Sequence, residues 1–502
     1  MNNLTKKLAF CISLIAFMQI NISAQNEIDA LRFSELDWQG TARFMGAGRA
    51  FGAVGADFSA LNTNPASIGL YKKSEITFTP MTISVFKNTS GYNGTSNVSQ
   101  NVKYNVGSAG FVFAIPGISS TLWKKFQIGF GFNRIQNYNR VYTIGGRNAG
   151  STIGTVFAEI ASELGIDPNV EDWPVGIYGD EAWVAWRSYL INPVTNTTFE
   201  AIMKDVDMKQ TATVTRTGGN DEMIFSFGTN YDDMLFLGAT IGIPFIKFTE
   251  NRVYTETNDK DVDRWFQNIK VVDRLSVRTA GINLKLGINY QPFDFLRVGA
   301  AFHTPTYYGN VRARFEREMS AKFWEEWTED EEEFGGYFRA ETEPYDDRPN
   351  YSLTTPLRAM ANIAFLIKQR AFVSLEYEFA DYSMARMNSI WYDFYEENNN
   401  ILNTYGFSHI ARIGAELSVT QVFSIRAGYN YITSPYKDDA NNGVKHYASA
   451  GLGFRTRVLY GDFAYAFITS KDKYDMLDIK FANPINNKLI MHRIMLTMGV
   501  RF

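Results

Sequence analysis

Cysteine is all but absent, with one residue, Cys11, in a chain of 502. It lies inside an apolar N-terminal run, so the chain beyond that run has no thiol, and disulfide frameworks and cysteine metal centres are excluded there. Histidine is nearly as scarce, at four residues: His303, His409, His446 and His492. No HExxH, phosphate loop or dinucleotide fingerprint accompanies them. Ser408 beside His409 would point to the opposite face of a strand, out of reach as a nucleophile for that histidine. The reading is a non-enzyme with no catalytic residue, no metal and no cofactor. Excess basic charge is missing as well: 49 lysines and arginines stand against 53 acidic residues, a formal net charge of −4, which leaves no electrostatic footprint for nucleic acid.

Long apolar runs are missing with one exception. Lys6 and Lys7 precede an apolar stretch from Leu8 to Ile22, and Ser23-Ala24 follow as small residues before Gln25, the pattern of a secretory signal peptide over 1–24. Cys11 sits too deep in that stretch to read as a lipoprotein attachment site. After it no run reaches the length of a membrane-spanning helix, so a spanning role falls to strands whose backbone bonds close on one another.

What is abundant fits that role. Aromatic residues make up 15% of a chain whose mean hydropathy is only −0.20, as a membrane barrel requires when alternate residues face lipid and interface girdles collect Tyr, Phe and Trp. Period-two segments occur at 75–87, 104–116, 125–140, 219–231, 234–250, 276–291, 295–309, 352–367, 370–383, 406–419, 421–433, 444–457, 458–470 and 488–502. Lys209–Thr217 is assigned to the preceding loop. Tight joints such as 231–233 and 291–294 alternate with long ones, which orients the short side toward the periplasm. The expected fold is all-β: a 14-stranded antiparallel transmembrane β-barrel over 75–502, with long external loops at 141–218 and 310–351. Residues 25–74 would form an N-terminal periplasmic segment and a luminal hatch.

The hatch assignment rests on Gly40–Leu70, GTARFMGAGRAFGAVGADFSALNTNPASIGL, a glycine- and alanine-rich stretch that breaks helix and strand periods alike and suits a compact plug. Gly40, Ala42-Arg43, Met45-Gly46, Ala50-Phe51, Asp57, Ser59-Ala60 and Asn64-Pro65-Ala66 resemble the N-terminal hatch of FadL-type outer membrane transporters of long-chain fatty acids and other hydrophobic compounds. Where that family usually has two consecutive acids, this chain has Ala56-Asp57. The resemblance implies fourteen strands, a Gram-negative outer membrane location, and passive transport of hydrophobic molecules through a hatch-plugged barrel. It also implies sideways exit beside the third strand and a greasy docking site on the external loops. The alternative is a FadL-like barrel that serves as scaffold or shuttle for protein secretion to the cell surface.

Candidate residues follow. Asn64, Pro65, Ala66, Phe51 and Asp57 would form the hatch and gate, with Asn64-Pro65 holding one turn. Strand parity turns Lys285, Arg297, Glu376, Glu378, Arg412, Glu416, Arg426, Arg455 and Asp462 into the lumen, as a polar network able to satisfy the plug's backbone. Phe157, Ile160 and Trp186, near a predicted helix over 151–166 and a second over 197–206, would supply external docking. Gly129 and Gly131 on the third strand would weaken pairing and leave a lateral opening, or else only make space for the plug. The acidic run 325–333 reads as a solvated charge run. On the terminal strand Ile490, His492, Ile494, Leu496, Met498, Val500 and Phe502 share a lipid face, ending in an aromatic carboxylate that resembles the signal read by the outer membrane assembly machinery. Expected partners are a fatty acid-like small molecule, membrane lipid, lipopolysaccharide and that machinery, around a monomer.

Overall fold

The computed structural model describes residues 27–502 except 118–120, 149, 168–176, 205, 261–265, 328–332, 342–349, 369, 438–440, 442 and 475–484. The expected signal peptide and most of the acidic run 325–333 therefore lie outside the described residues. Fourteen antiparallel strands close on themselves. They are β1 (Glu75–Tyr92), β2 (Thr95–Asn105 continued as Ser108–Pro116), β3 (Trp123–Asn137 continued as Arg140–Asn148), β4 (Met208–Tyr231), β5 (Leu235–Thr257), β6 (Phe266–Phe293) and β7 (Leu296–His303 continued as Tyr307–Trp327). The second half comprises β8 (Tyr351–Thr354 continued as Arg358–Ile367), β9 (Ala371–Asp381 continued as Arg386–Asn388), β10 (Phe407–Ser418), β11 (Phe423–Ile432), β12 (Lys445–Arg455), β13 (Leu459–Tyr474) and β14 (Ile485–Arg501). Closure comes from β14 against β1, in register from Glu75↔Arg501 to Gly91↔Asn486.

Alternation decides which face is which. On β6, Ile282, Leu284, Leu286, Ile288 and Tyr290 point outward and are exposed, while Asn283, Lys285 and Asn289 between them are buried. An apolar outside and a polar inside is the arrangement that lipid requires. About ten residues of a strand suffice to cross the hydrocarbon, yet β6 runs for 28 residues, so the outer halves stand clear of it.

Those outer halves depart from the sequence reading. Residues 141–148 and 208–218 are strand, and so are 310–327 and Glu333–Glu341, which pairs with β7. The two proposed loops are thus partly wall, and Lys209–Thr217 is the outer half of β4. Beyond the lipid belt the pattern inverts, with apolar residues such as Val214, Phe315 and Met319 turned inward and polar ones outward, so the lipid-facing apolar period stops while the backbone ladder continues. The predicted helix over 151–166 appears as Ile153–Glu163, capped by Thr152, whose side chain accepts from Thr155 N. The one over 197–206 is instead a short strand, Phe199–Ala201, paired with Ile191–Pro193; its β-branched and aromatic residues favour that.

The N-terminal chain is placed differently from the expected periplasmic segment. Helix α1 (Glu27–Ser34) lies inside the outer half of the barrel, where Leu31 and Phe33 cluster with Tyr138, Phe248, Tyr308 and Tyr351 of the wall and with Ile401 of the external helix Tyr395–Thr404. Phe33 meets Tyr138 and Phe248 edge-on at 6.0 and 5.9 Å. Its apolar face can be buried only by a wall that surrounds it. The chain then descends through Trp38 to helix α2 (Ala42–Gly46) and two 3₁₀ turns, Phe58–Asn62 and Pro65–Leu70, before entering β1.

Candidate functional site: a plugged lumen and a parted wall

The plug is held by charges from the wall. Arg43 grips Glu416 with two bonds of 2.9 and 3.1 Å, and Glu416 also accepts from Arg426 Nε at 2.6 Å. Arg426 reaches Asp462 at 2.7 Å. Glu376 accepts from the Gly52 amide at 3.0 Å, while Arg412 bridges Glu376 and Glu378. Arg297 donates to the carbonyls of Ala53 and Val54 at 2.8 and 2.9 Å. Lys285 pairs with Glu222, which also accepts from the hatch's Asn62. The structure thus brings seven of the nine luminal candidates into contact with the plug or with one another; Lys285 reaches the plug through Glu222, and Arg455 lies over the Tyr460 ring at 5.6 Å. Three further anchors were not among the candidates. Glu222 shares the inward parity of Ile224 and Ser226, Arg358 donates to Ser34 O at 2.6 Å, and Asn289 to Gly52 O at 2.9 Å. For Glu222, strand parity was the available signal.

Inside the plug each candidate has a local task. Asn64 caps the second 3₁₀ turn by accepting from Ala66 N at 3.0 Å, Pro65 opens that turn, and Asn64 Nδ2 reaches Asn289 Oδ1 at 3.1 Å. Asp57 accepts from Thr41 Oγ1 at 2.8 Å and from Ser59 N at 3.0 Å, tying the two ends of the hatch together. Phe51 is fully buried edge-on to Phe372 at 5.6 Å. Backbone meets backbone where Gly48, at φ +62°, faces β11: a Cβ there would stand 2.9 Å from Gly428 Cα. Only glycine suits that conformation and that approach. Gly428→Val is accordingly expected to leave a heat-resistant barrel whose plug no longer seats, read as faster entry of a small hydrophilic dye than in the parent.

Gly129 and Gly131 have a different setting from the one expected. β3 is laddered to both neighbours there, Gly129 opposite Val112 and Ser226, Gly131 opposite Gly110 and Ile224. The space their missing side chains leave is taken by Ile68 and Leu61 at Gly129 and by Phe58 at Gly131, so no gap opens beside them. The wall parts higher up. The outer half of β2, Thr95–Asn105, pairs with β1, and the outer half of β3, Arg140–Asn148, pairs with β4, but no backbone ladder joins the two among the described residues. Side chains stitch this seam: Asn97 donates to Gly145 O at 2.7 Å, Asn88 to Val141 O at 2.8 Å, and Thr143 N to Ser99 Oγ at 2.7 Å. At its lower end the plug chain itself covers the β3 edge, with Asp37 N bonded to Ile135 O at 2.7 Å and Gln39 N to Arg134 O at 3.0 Å.

The proposed docking residues are mostly internal to the external lid. Phe157 and Ile160 are 0% and 2% exposed, in a core with Tyr142, Ile144 and Met319, and Trp186 packs partly buried against it. A residue with no exposed surface cannot meet a solute first. Below the lid Asp207 accepts from Lys260 and Arg147, which hold its carboxyl below the usual carboxylate range. Phe157→Ser is expected to lower uptake at every substrate concentration alike and to expose the lid to protease, because deleting a buried aromatic costs about 3–5 kcal/mol. Exposed apolar side chains lie elsewhere, on the loop after β9: Ile390 and Trp391 are 89% and 78% exposed. They border an open cleft of about 390 Å³ lined by residues 387–394 and Asn398.

A closed fourteen-stranded barrel, filled by its own N-terminal chain and parted at the seam, is a plugged barrel. In fold this chain is a barrel of the FadL type. It is similar to a FadL homologue of Pseudomonas aeruginosa at 14% identity, covering 93% of this chain and 98% of that one with a TM-score of 0.50. It is likewise similar to the Pseudomonas putida toluene transporter TodX at 12% identity, covering 93% and 99%, TM-score 0.50. A variant of the TodX monoaromatic hydrocarbon channel superposes with a TM-score of 0.53 at 11% identity, covering 92% and 98%. These neighbours are transporters and channels, not enzymes. No protein-family model and no curated protein matches the sequence.

Proposed function

We propose that this chain resides in the Gram-negative outer membrane and passes hydrophobic compounds, long-chain fatty acids among them, inward without an energy source, releasing them sideways into the membrane. The observation that carries the reading is the seam between 95–105 and 140–148, whose lower edge is covered by the plug chain 37–39 instead of a neighbouring strand. One segment, 27–40, touches every stage of the route. Its helix packs on the external helix beside the Trp391 cleft, and its next residues lie in the seam. Trp38 and Phe51 join Met360 and Phe372 as an apolar passage wall between them. Water-filled pores give apolar solutes no favourable surface, whereas a lined route does. Displacement of 27–40 would open cleft, lumen and seam together.

The test is uptake of labelled oleate and labelled toluene by cells carrying the barrel, set beside mass spectrometry of what stays bound to it and a pull-down from intact cells. Saturable uptake of either compound supports transport. Absence of uptake, with a secreted protein bound in stoichiometric amount, supports the scaffold alternative instead.

A further inference from the structure

One row of the outer surface carries charge that the barrel does not use. Arg278 on β6 stands directly opposite Lys247 on β5 and, on its other side, directly opposite Arg312 on β7. All three are exposed and share the outward parity of Phe245 and Ile282, which also face outward and are exposed. They form the first charged row beyond the apolar belt on the external side, since the outward positions of β6 run Tyr290, Ile288, Leu286, Leu284, Ile282, Ala280 and then Arg278. Like charges placed directly across a ladder repel and destabilise a sheet. Several other cations of this face are neutralised: Arg314 by Glu316 at 3.0 Å, Arg274 by Glu318 at 3.4 Å, and Arg134 by Asp221 through two bonds of 2.8 Å. Among the described residues no carboxylate pairs with Lys247, Arg278 or Arg312.

Three uncompensated cations in one row at the rim of a lipid belt call for an anion supplied by the lipid. We propose that Lys247, Arg278 and Arg312 bind a phosphate of outer-leaflet lipopolysaccharide; this rests on the outer membrane reading above. Two adjacent guanidinium forks with an ammonium beside them match the oxygens of a phosphate monoester, which arginine holds bidentately. The height fits as well, because the phosphates of such a glycolipid sit where its acyl chains end, level with the first polar row of the wall. The acyl chains then lie along Phe245, Ile282 and Leu284, so one lipid is held at both ends.

The experiment incubates the purified, folded barrel with bisphosphorylated lipid A, with its enzymatically dephosphorylated form, or with phosphatidylglycerol, and measures retained lipid by native mass spectrometry. Each cation near an anionic lipid surface contributes about a factor of five, so Lys247→Gln, Arg278→Gln and Arg312→Gln combined should weaken lipid A retention by roughly a hundredfold. The single variant Arg278→Lys keeps the charge and loses the fork, and should fall between. Heat resistance confirms that each variant is folded; all three positions face outward and leave the plug untouched. Preference for the phosphorylated lipid A that disappears in the triple variant supports the site. Equal retention by parent and triple variant overturns it, and so does equal binding of the dephosphorylated lipid or of phosphatidylglycerol. Oleate uptake by the parent barrel in cells separates the two ideas, since absent uptake by a parent that retains phosphorylated lipid A contradicts the transport reading alone.

Discussion

Oxidation of a chain carrying Ser99→Cys and Thr143→Cys is expected to stop uptake of apolar substrate while the barrel stays assembled, and reductant is expected to restore it. Thr143 N lies 2.7 Å from Ser99 Oγ, which places the two residues side by side across the seam, where a disulfide needs Cβ atoms about 3.5–4.5 Å apart. The seam there is held by side chains alone, so it can separate without breaking a ladder, and a covalent link removes that freedom. Because Cys11 is the sole native cysteine and lies in the expected signal peptide, no other thiol competes. A fall of about tenfold or more in initial uptake, absent from either single variant, fits a seam that must open. Unchanged uptake by the oxidised double variant would place the exit elsewhere.

The second large effect concerns Arg412. It is buried between Glu376 and Glu378, and its guanidinium lies 5.0 Å over the Trp38 ring. Removing one partner of a buried pair leaves uncompensated charge, at a cost of about 3–5 kcal/mol. Arg412→Met should therefore lower the temperature at which the folded band converts on a gel, and should loosen the plug, because Glu376 also holds Gly52 N at 3.0 Å. Adding Glu376→Gln to Arg412→Met should recover most of the thermal stability, since Glu378 keeps its pair with Arg358 at 2.6 Å and no carboxylate of the cluster is then left unpaired. The Gly52 anchor weakens in that double variant, so the plug should stay loose although the barrel is again stable. If the double variant both regained stability and sealed the lumen like the parent, the wall charges would be stiffening the barrel without anchoring the plug.

Much of this arrangement was legible in the sequence because a barrel enforces a rule residue by residue. Strict alternation on strands such as Val373-Ser374-Leu375-Glu376 fixes which side chains meet inside, and the inward set found there is the one that holds the plug. The glycine-rich stretch to Leu70 was legible for a related reason: only small residues allow approaches such as that of Gly48 to Gly428. Two features escaped. The outer strand halves turn apolar residues such as Val214, Phe315 and Met319 inward and polar ones outward, so 208–218 and 310–327 lack the outward apolar period that marks a lipid-facing strand. The α1 sequence EIDALRFS is short, with a weakly amphipathic pattern that cannot by itself say whether Leu31 and Phe33 pack on a wall or on a neighbouring loop. The glycines of β3 left two readings open because a missing side chain leaves room for a ligand and for a plug alike; at Gly129 and Gly131 the occupants are Ile68, Leu61 and Phe58.

The account turns on one path: apolar solute passes along 27–40 and leaves through the seam. Photolabelling tests it directly, with a diazirine-bearing long-chain fatty acid given to cells at low concentration, irradiation, and mapping of the modified residues by mass spectrometry with excess oleate as competitor. Competed label should fall on Leu31, Phe33 and Trp38 and on the seam strands 95–105 and 140–148. Label confined to the lipid-facing belt, such as Ile282 to Tyr290, and insensitive to oleate would show that fatty acid meets this barrel only as a membrane solute, and would contradict the path.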